Sequence, residues 1–161
     1  MVIVVMGVAG SGKTTIGQKL AGALGCPFYD ADDFHGADAK SKMNRGIALT
    51  DEDRQPWLGN LADEIKKWES KGGFSVLACS ALKKSYRDLL SKAGLIRWVY
   101  LKGDKEVIRQ RLAKRKDHFM NSGLLDSQFD TLEEPTESFV ADISQEPGQI
   151  VEALVRQLRE P

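Results

Sequence analysis

The most constraining feature of the sequence is a glycine-rich loop directly behind a short apolar run. Val2-Ile3-Val4-Val5-Met6 is mostly β-branched, which is typical of a strand buried on both faces of a parallel sheet. The next segment, Gly7 to Thr14, reads GVAGSGKT and matches the pattern G-x-x-x-x-G-K-[ST] without a mismatch. Apolar residues then recur at helical spacing until Gly25 and Pro27, so the loop is predicted to join a buried strand to a helix.

This arrangement predicts a site for the phosphates of a nucleoside triphosphate, with ATP as the expected nucleotide. Glycines let backbone N–H groups turn toward phosphate oxygens, and the following helix adds its positive N-terminal end. Lys13 is predicted to reach the β- and γ-phosphates as a catalytic residue, and the Thr14 hydroxyl to bind Mg²⁺. The predicted nucleotide-binding residues of the loop are Gly7, Val8, Ala9, Gly10, Ser11, Gly12, Lys13, Thr14 and Thr15.

Beyond the loop, strand and helix patterns alternate along the 161 residues, a length that suits one domain. Such alternation predicts a parallel sheet with helices on both faces, and therefore a single three-layer α/β/α domain with five parallel strands. The predicted strands are 2–6, 26–29, 74–79, 95–101 and 139–143. Helices are predicted to begin near Pro56 and to cover 82–91, 105–114 and 149–159, with another ending near Leu132. Residues 33–49 and 115–125 lack clear periodicity, and the second of these is expected to be a mobile connector.

An acidic group, Tyr29-Asp30-Ala31-Asp32-Asp33, follows the second predicted strand. The third strand ends at Cys79 without an aspartate, so an acidic partner for Mg²⁺ is expected elsewhere. The carboxyl ends of parallel strands meet at one edge of the sheet, where ligands bind. Asp32 is therefore predicted to accept a proton from an incoming hydroxyl, and Asp30 to lie on the metal side. The alternative is an acidic turn whose aspartates only cap a helix.

The charges balance, with 23 basic and 23 acidic residues, which argues against a general nucleic-acid or membrane-surface binder. They are unevenly placed: residues 83–116 carry 12 basic and 3 acidic side chains, whereas residues 126–155 carry 8 acidic and no basic ones. The basic run is either a salt-bridged surface or a positive cover for a polyanion. No apolar run approaches the roughly 18–20 residues of a membrane span. Two cysteines are too few for a disulfide framework and favour a reducing cytoplasm.

Several longer segments together resemble the thermoresistant-type gluconokinases, relatives of shikimate kinase and adenylate kinase. They read GVAGSGKTT, DADDFH, LTDEDRQPWL, CSALKKSYRD, VYLKGD and RLAKRKDHFM followed by LLDSQFDTLEEP, and they extend from residue 7 to residue 135. The resemblance implies a P-loop kinase fold with a small mobile lid at about residues 114–124. It also implies ATP-dependent phosphorylation of D-gluconate at its terminal hydroxyl, giving 6-phosphogluconate, and a homodimer.

The same resemblance implies roles for residues outside the loop. Arg54, beside Pro56-Trp57, looks like the family's substrate arginine, and a planar guanidinium suits a carboxylate. By similarity to the adenylate kinase lid, Arg111 would stack on adenine, and the catalytic Arg115 would stabilise the charge of the transferring phosphoryl group. Further candidate contacts to gluconate, which could equally be solvated or loop residues, are His35, Lys83, Arg87 and Gln128.

Two alternative functions remain open from the sequence. One is another small-molecule P-loop kinase similar to shikimate kinase, although Cys79-Ser80-Ala81 stands where that enzyme is expected to carry a glycine triplet. The other is a non-catalytic nucleotide-binding module whose basic segment docks RNA, which predicts salt-sensitive RNA binding. The Asp-x-Asp edge and the substrate-side segments favour a kinase.

Overall fold

The structure is a computed structural model, and it describes residues 1–115 and 122–160. Its strands are β1 (Val2–Met6), β2 (Phe28–Asp30), β3 (Ser75–Ala78), β4 (Ile96–Lys102) and β5 (Phe139–Asp142). Its helices are α1 (Lys13–Leu24), α2 (Ala37–Asn44), α3 (Asp51–Ser70), α4 (Lys84–Ser91), α5 (Lys105–Lys114), α6 (Ser122–Thr131) and α7 (Pro147–Arg159). A short 3₁₀ helix covers Ala31–Phe34.

The five strands form one parallel sheet in the order β2-β3-β1-β4-β5. The first strand lies at the centre, with Val2 in register with Ser75 on one side and with Ile96 on the other. Every residue of β1 is fully buried, as its continuous apolar run predicts. The predicted fold class, an α/β domain with a five-stranded parallel sheet, is confirmed.

Alternation along β1 divides the core into two layers. Ile3 and Val5 pack into one cluster with residues of α1 and α7, whereas Val2, Val4 and Met6 pack into another with residues of α3 and α4. Successive side chains of a strand point to opposite faces, so a strand with no polar position requires helices on both sides. The result is the predicted three-layer arrangement.

The start of α3 differs from the prediction. The helix begins at Asp51, well before Pro56, because Thr50 caps it: Thr50 Oγ1 accepts a hydrogen bond from the Asp53 amide at 3.1 Å, and Asp53 Oδ2 accepts one from the Thr50 amide at 2.9 Å. This reciprocal capping box satisfies amides that the first turn leaves without helical partners. Pro56 therefore lies inside the helix rather than at its first position.

Two segments without periodicity also contain helices. Residues 33–49 include α2, none of whose residues is buried, so the helix has no apolar stripe for a sequence pattern to reveal. The predicted connector 115–125 overlaps the start of α6 at Ser122. The second strand also lies slightly later than predicted, at Phe28–Asp30.

Ion pairs join the basic run of the sequence to the acidic run. Lys105 and Arg109 both contact Asp126 Oδ1, at 2.6 and 3.2 Å, and Lys102 contacts Glu134 at 3.1 Å. The interpretation of these runs as a salt-bridged surface therefore holds for these residues. Within the described part of the chain, no helix is both long and apolar enough to cross a membrane.

Replacing Thr50 with alanine tests the observed start of α3. Thr50→Ala removes the hydroxyl that accepts from the Asp53 amide, so the free energy of unfolding should fall by about 1 kcal/mol. Chemical denaturation measures this change. Thr136→Ala, at an exposed position, is the matched control and should unfold like the unsubstituted protein. Equal stabilities for the two variants would show that the cap does not stabilise the helix.

Candidate active site

A cleft of about 760 Å³ opens at the carboxyl edge of the sheet. The glycine-rich loop after β1 forms one wall, and the acidic turn after β2 lies beside it. The start of α3 and the segment before it form the opposite wall, and residues of α5 and α6 complete the lining. This is the edge at which the sequence predicts a ligand, because parallel strands deliver their ends and loops there.

The glycine-rich loop adopts a backbone that favours glycine. Gly10 and Gly12 have φ angles of 79° and 100°, in the left-handed region that residues with a side chain rarely adopt. Gly12 directly precedes α1, whose first residue is Lys13. The first turn of α1 therefore presents unpaired amides and its positive end to the cleft, which is the arrangement that binds phosphate.

Lys13 lies in the mouth of this loop. Its ammonium donates to the carbonyl oxygens of Gly7 and Val8, both at 3.0 Å. Burial lowers the pKa of Lys13, and the charge of Asp32 is the largest effect that opposes this shift, with the charge of Asp30 acting in the same direction as that of Asp32. The lysine and the acidic turn therefore share one electrostatic site, as the sequence predicts.

The acidic turn is built by β2 and held by α3. Asp30 ends β2, and its Oδ1 accepts from the Asp32 amide at 3.0 Å, so Asp30 caps the 3₁₀ helix. The Trp57 indole donates to the Ala31 carbonyl at 2.7 Å, which fixes the turn against α3. Burial raises the pKa of Asp30, and the charges of Asp32 and Asp33 act in the same direction, whereas Lys13 acts against it. Asp30 thus caps a helix, as the alternative interpretation expected, and Asp30 and Asp32 also both line the cleft.

The end of β3 carries a thiol where an acid would otherwise stand. Cys79 is buried, and burial raises its pKa to about 12, so the thiol stays neutral beside Lys13. Ser80 follows and lines the cleft. The carboxylates of this site therefore come from the end of β2, as the sequence predicts.

His35 and Arg54 occupy the wall opposite the loop. His35 is 7% exposed and stacks on Trp57, with ring centroids 4.4 Å apart. Burial, with the charges of Arg54 and Lys40, lowers the pKa of His35 to about 4, so its ring is neutral at physiological pH. Arg54 donates to the Tyr86 hydroxyl at 3.4 Å, and that hydroxyl donates to Asp51.

Two predicted gluconate contacts lie elsewhere. The Arg87 guanidinium is buried and donates to the backbone carbonyls of Ala81 at 2.7 Å, Leu82 at 3.0 Å and Glu133 at 2.7 Å. These three hydrogen bonds hold the backbone after β3, where Ala81 has a φ of 43°. Lys83 pairs with Asp51 at 2.8 Å, outside the cleft lining. The expectation that Arg87 binds gluconate is therefore replaced by a structural role.

The helices α5 and α6 place the remaining predicted residues. Arg115 directly follows α5 and lines the cleft, where its charge helps to lower the pKa of Lys13. Arg111 instead donates to the Ile143 carbonyl at 2.7 Å, and its stacking on adenine stays a prediction. Gln128 lines the cleft, but its Oε1 accepts from the Ala9 amide at 2.7 Å. Much of the predicted lid, residues 116–121, lies outside the described residues.

Sequence reasoning missed part of the opposite wall. The cleft is also lined by residues at the end of α2 and in the segment that leads to α3, namely Met43, Asn44, Ile47, Ala48 and Leu49. It also missed Trp57 as the residue that holds both Ala31 and His35. Trp57 shows only as a member of the apolar stripe of α3, and a buried stripe residue is ordinarily interpreted as core.

The oxygen donors of the cleft suit a magnesium ion that is carried by a nucleotide. Among the described residues, no group of three or more His, Cys, Asp and Glu side chains could hold a metal. The Thr14 hydroxyl and the carboxylates of Asp30 and Asp32 line the cleft together. Mg²⁺ prefers such hard oxygen ligands and uses few of them from the protein when phosphates supply the others.

The sheet order, the phosphate-binding loop and the acidic turn across one cleft define a P-loop kinase that acts on a small molecule. Residues 9–159 match the family model described as shikimate kinase. Several curated gluconokinases are more specific relatives. A probable gluconokinase of Dictyostelium discoideum is 44% identical, with 99% of this chain and 86% of that protein covered. The thermoresistant gluconokinase of Escherichia coli is 39% identical, with 98% and 93% covered.

Solved structures that are similar to this chain belong to the same kind of enzyme as these relatives. A sugar kinase from a Janibacter species is similar with a TM-score of 0.90 at 45% identity, over 98% of this chain and 93% of that chain. A gluconokinase from Sinorhizobium meliloti is similar with a TM-score of 0.87 at 39% identity, over 97% and 91%. The chain belongs to the gluconokinase family of ATP-dependent sugar acid kinases.

The neutral state of His35 can be measured directly. The ring should titrate with a midpoint at about 4 because it is buried against Trp57 and faces positive charge. Ring-proton chemical shifts recorded against pH give this value, and the His35→Gln spectrum assigns the signal. The second histidine, His118, lies outside the described residues, and His118→Gln serves as the control. A midpoint near 6.5 would show a solvated ring.

The same pKa makes stability depend on pH with a defined sign. The unfolded chain takes up the His35 proton near pH 6.5 and the folded chain only near 4, so stability falls as the pH falls through this interval. The stability difference between wild type and His35→Gln should therefore shrink by about 2 kcal/mol between pH 7 and pH 5. Denaturation at both pH values measures it, and a constant difference would contradict the neutral buried ring.

Proposed function

We propose that this protein transfers the γ-phosphoryl group of ATP to the terminal hydroxyl of D-gluconate, giving ADP and 6-phosphogluconate. The observation that carries this proposal is one cleft that is lined by Lys13 and Thr14 of the loop, by Asp32 of the acidic turn beside it, and by His35 and Arg54. Membership of the gluconokinase family supports gluconate as the acceptor.

On the ATP side, charge neutralisation is the main task. The amides of Gly12, Lys13 and Thr14, at the start of α1, bind the phosphates, and the Lys13 ammonium lies where it can move from loop carbonyls to phosphate oxygens. Arg115 approaches from the end of α5 and stabilises the charge that spreads over the transferring group. Thr14 and Asp30 would hold Mg²⁺, which supplies further neutralisation of the β- and γ-phosphates when bound.

On the acceptor side, the residues differ in their tasks. Arg54 binds the gluconate carboxylate, because its guanidinium lies in the wall opposite the loop and its fork suits two carboxylate oxygens. Neutral His35 offers a ring nitrogen to a hydroxyl of the acceptor chain: its Nδ1 is buried and has no hydrogen-bond partner among the described residues. Asp32 orients the terminal hydroxyl and accepts its proton as the oxygen attacks.

The alternatives have less support. Phosphorylation of a shikimate-like acceptor is supported by the match to the shikimate kinase family model. The curated relatives at 44% and 39% identity, however, are gluconokinases. An RNA-docking module needs free basic side chains, whereas Lys102, Lys105 and Arg109 of the basic run pair with acidic residues. We also propose that the protein acts in the cytoplasm, which suits its two free thiols, Cys26 and Cys79. The homodimer that the family resemblance implies is part of the same proposal.

The activity and its proposed base can be tested in one assay. ADP formation should require gluconate and should not be supported by shikimate. Asp32→Asn should lower kcat by about 10²–10⁴-fold, because the amide cannot accept the proton of the hydroxyl. Asp33→Asn is the matched control, since Asp33 is exposed and does not line the cleft, and it should retain the wild-type rate. Full activity of Asp32→Asn would remove Asp32 from this role.

The role of Arg54 predicts an effect on one substrate alone. Arg54→Lys keeps the charge but loses the planar fork, so KM for gluconate should rise about tenfold while KM for ATP stays unchanged. Steady-state kinetics with each substrate varied in turn measures both constants. Arg45→Lys, at the exposed end of α2, is the control for loss of a guanidinium. An unchanged KM for gluconate in Arg54→Lys would assign the carboxylate to another residue.

A further inference from the structure

The carboxamide of Gln128 contacts the phosphate-binding loop rather than only the open cleft. Gln128 lies on α6, and its Oε1 accepts from the amide of Ala9 at 2.7 Å. An N–H group can donate only to the oxygen of a carboxamide, so this contact fixes which way the amide group is turned. The oxygen faces the loop, and the NH₂ group is the end that remains for the cleft that Gln128 lines.

The neighbouring loop residue is held by the other helix of the pair. A Cβ atom on Gly10 would stand 2.8 Å from Leu112 Cγ and 3.2 Å from Ile108 Cγ2, so α5 packs directly on the Gly10 backbone. Lys105 and Arg109 of α5 also contact Asp126, two residues before Gln128. Residues 9 and 10 of the loop are therefore fixed between α5 and α6.

With this packing, Gln128 lines the same cleft as two charged hydrogen-bond donors, Lys13 and Arg115. The Ala9 amide is taken by Gln128, so that N–H is used within the protein, and the side chain of Gln128 offers its own N–H groups instead. A neutral donor in this position can bind a phosphate oxygen without adding to the repulsion among the cations.

We propose that Gln128 binds the terminal phosphate of ATP through its NH₂ group, while its oxygen holds the loop at Ala9. The inference rests on the proposed function only in taking ATP as the nucleotide of this loop. It assigns Gln128 to the phosphoryl group and not to gluconate, the role first expected for it. Gln128 thereby distinguishes a nucleoside triphosphate from a diphosphate.

The test measures nucleotide affinity without turnover. Titration calorimetry gives Kd for ADP and for a non-hydrolysable imido analogue of ATP, both with Mg²⁺. Gln128→Glu keeps an oxygen for the Ala9 amide and replaces the NH₂ donor with a second carboxylate oxygen. Its Kd for the analogue should rise at least about tenfold relative to wild type, with a much smaller change for ADP. Gln128→Leu loses both contacts and should weaken binding of both nucleotides.

The controls separate this inference from other roles. Gln149→Glu makes the same chemical change at an exposed position of α7 and should bind both nucleotides as wild type does. A Gln128→Glu protein that binds both nucleotides normally would make Gln128 a loop anchor only and would overturn the inference. A rise confined to KM for gluconate would overturn it as well. If wild type itself binds neither nucleotide, the proposed function fails and the inference fails with it.

Discussion

The burial of β1 on both faces is the constraint on which the rest of the structure depends. A strand without a polar position must lie inside a covered sheet, and β1 is in register with β3 on one side and with β4 on the other. The outer strands, β2 and β5, pair in turn with β3 and β4. The phosphate-binding loop begins directly after β1, so the position of this central strand fixes where the loop starts. The backbone is also crowded there, because a Cβ atom on Gly7 would stand 2.6 Å from Ser11 Oγ and 3.1 Å from the Leu101 carbonyl oxygen.

The electrostatics of the cleft follow from this placement. Lys13 lies half-buried at the centre of the edge, and burial lowers its pKa. The charges of Asp32 and Asp30, which stand at and just after the end of β2 on the far side of β3, oppose that shift. Those carboxylates are in turn kept close to the lysine by contacts that carry no charge, above all the Trp57 indole on the Ala31 carbonyl. Neutral groups therefore position the charged ones, which leaves the charges available for the phosphate binding and proton transfer proposed for them.

The features that the sequence predicts correctly are those encoded by residues next to one another in the chain. The burial of β1, the loop and the cap of α1 at Gly25 each show in neighbouring residues, and the fold class follows from the order of such segments. The start of α3 was misplaced because the capping box of Thr50 and Asp53 is a weaker pattern than Pro56. Helix α2 has no buried residue and so no periodicity. The sequence could not reveal the structural role of Arg87, because one of the three carbonyls that its guanidinium contacts belongs to Glu133, far along the chain.

The two walls of the cleft differ in how they can be derived from sequence. The phosphate wall is mostly backbone, so its residues must be contiguous and glycine-rich, and a short motif describes them. The wall proposed to bind the acceptor is made of side chains from separate elements. His35 stacks on Trp57, and Arg54 donates to the Tyr86 hydroxyl. No spacing rule links these positions. An acceptor site of this kind can change its substrate by altering single side chains, whereas the phosphate wall cannot change without losing the backbone geometry that binds ATP.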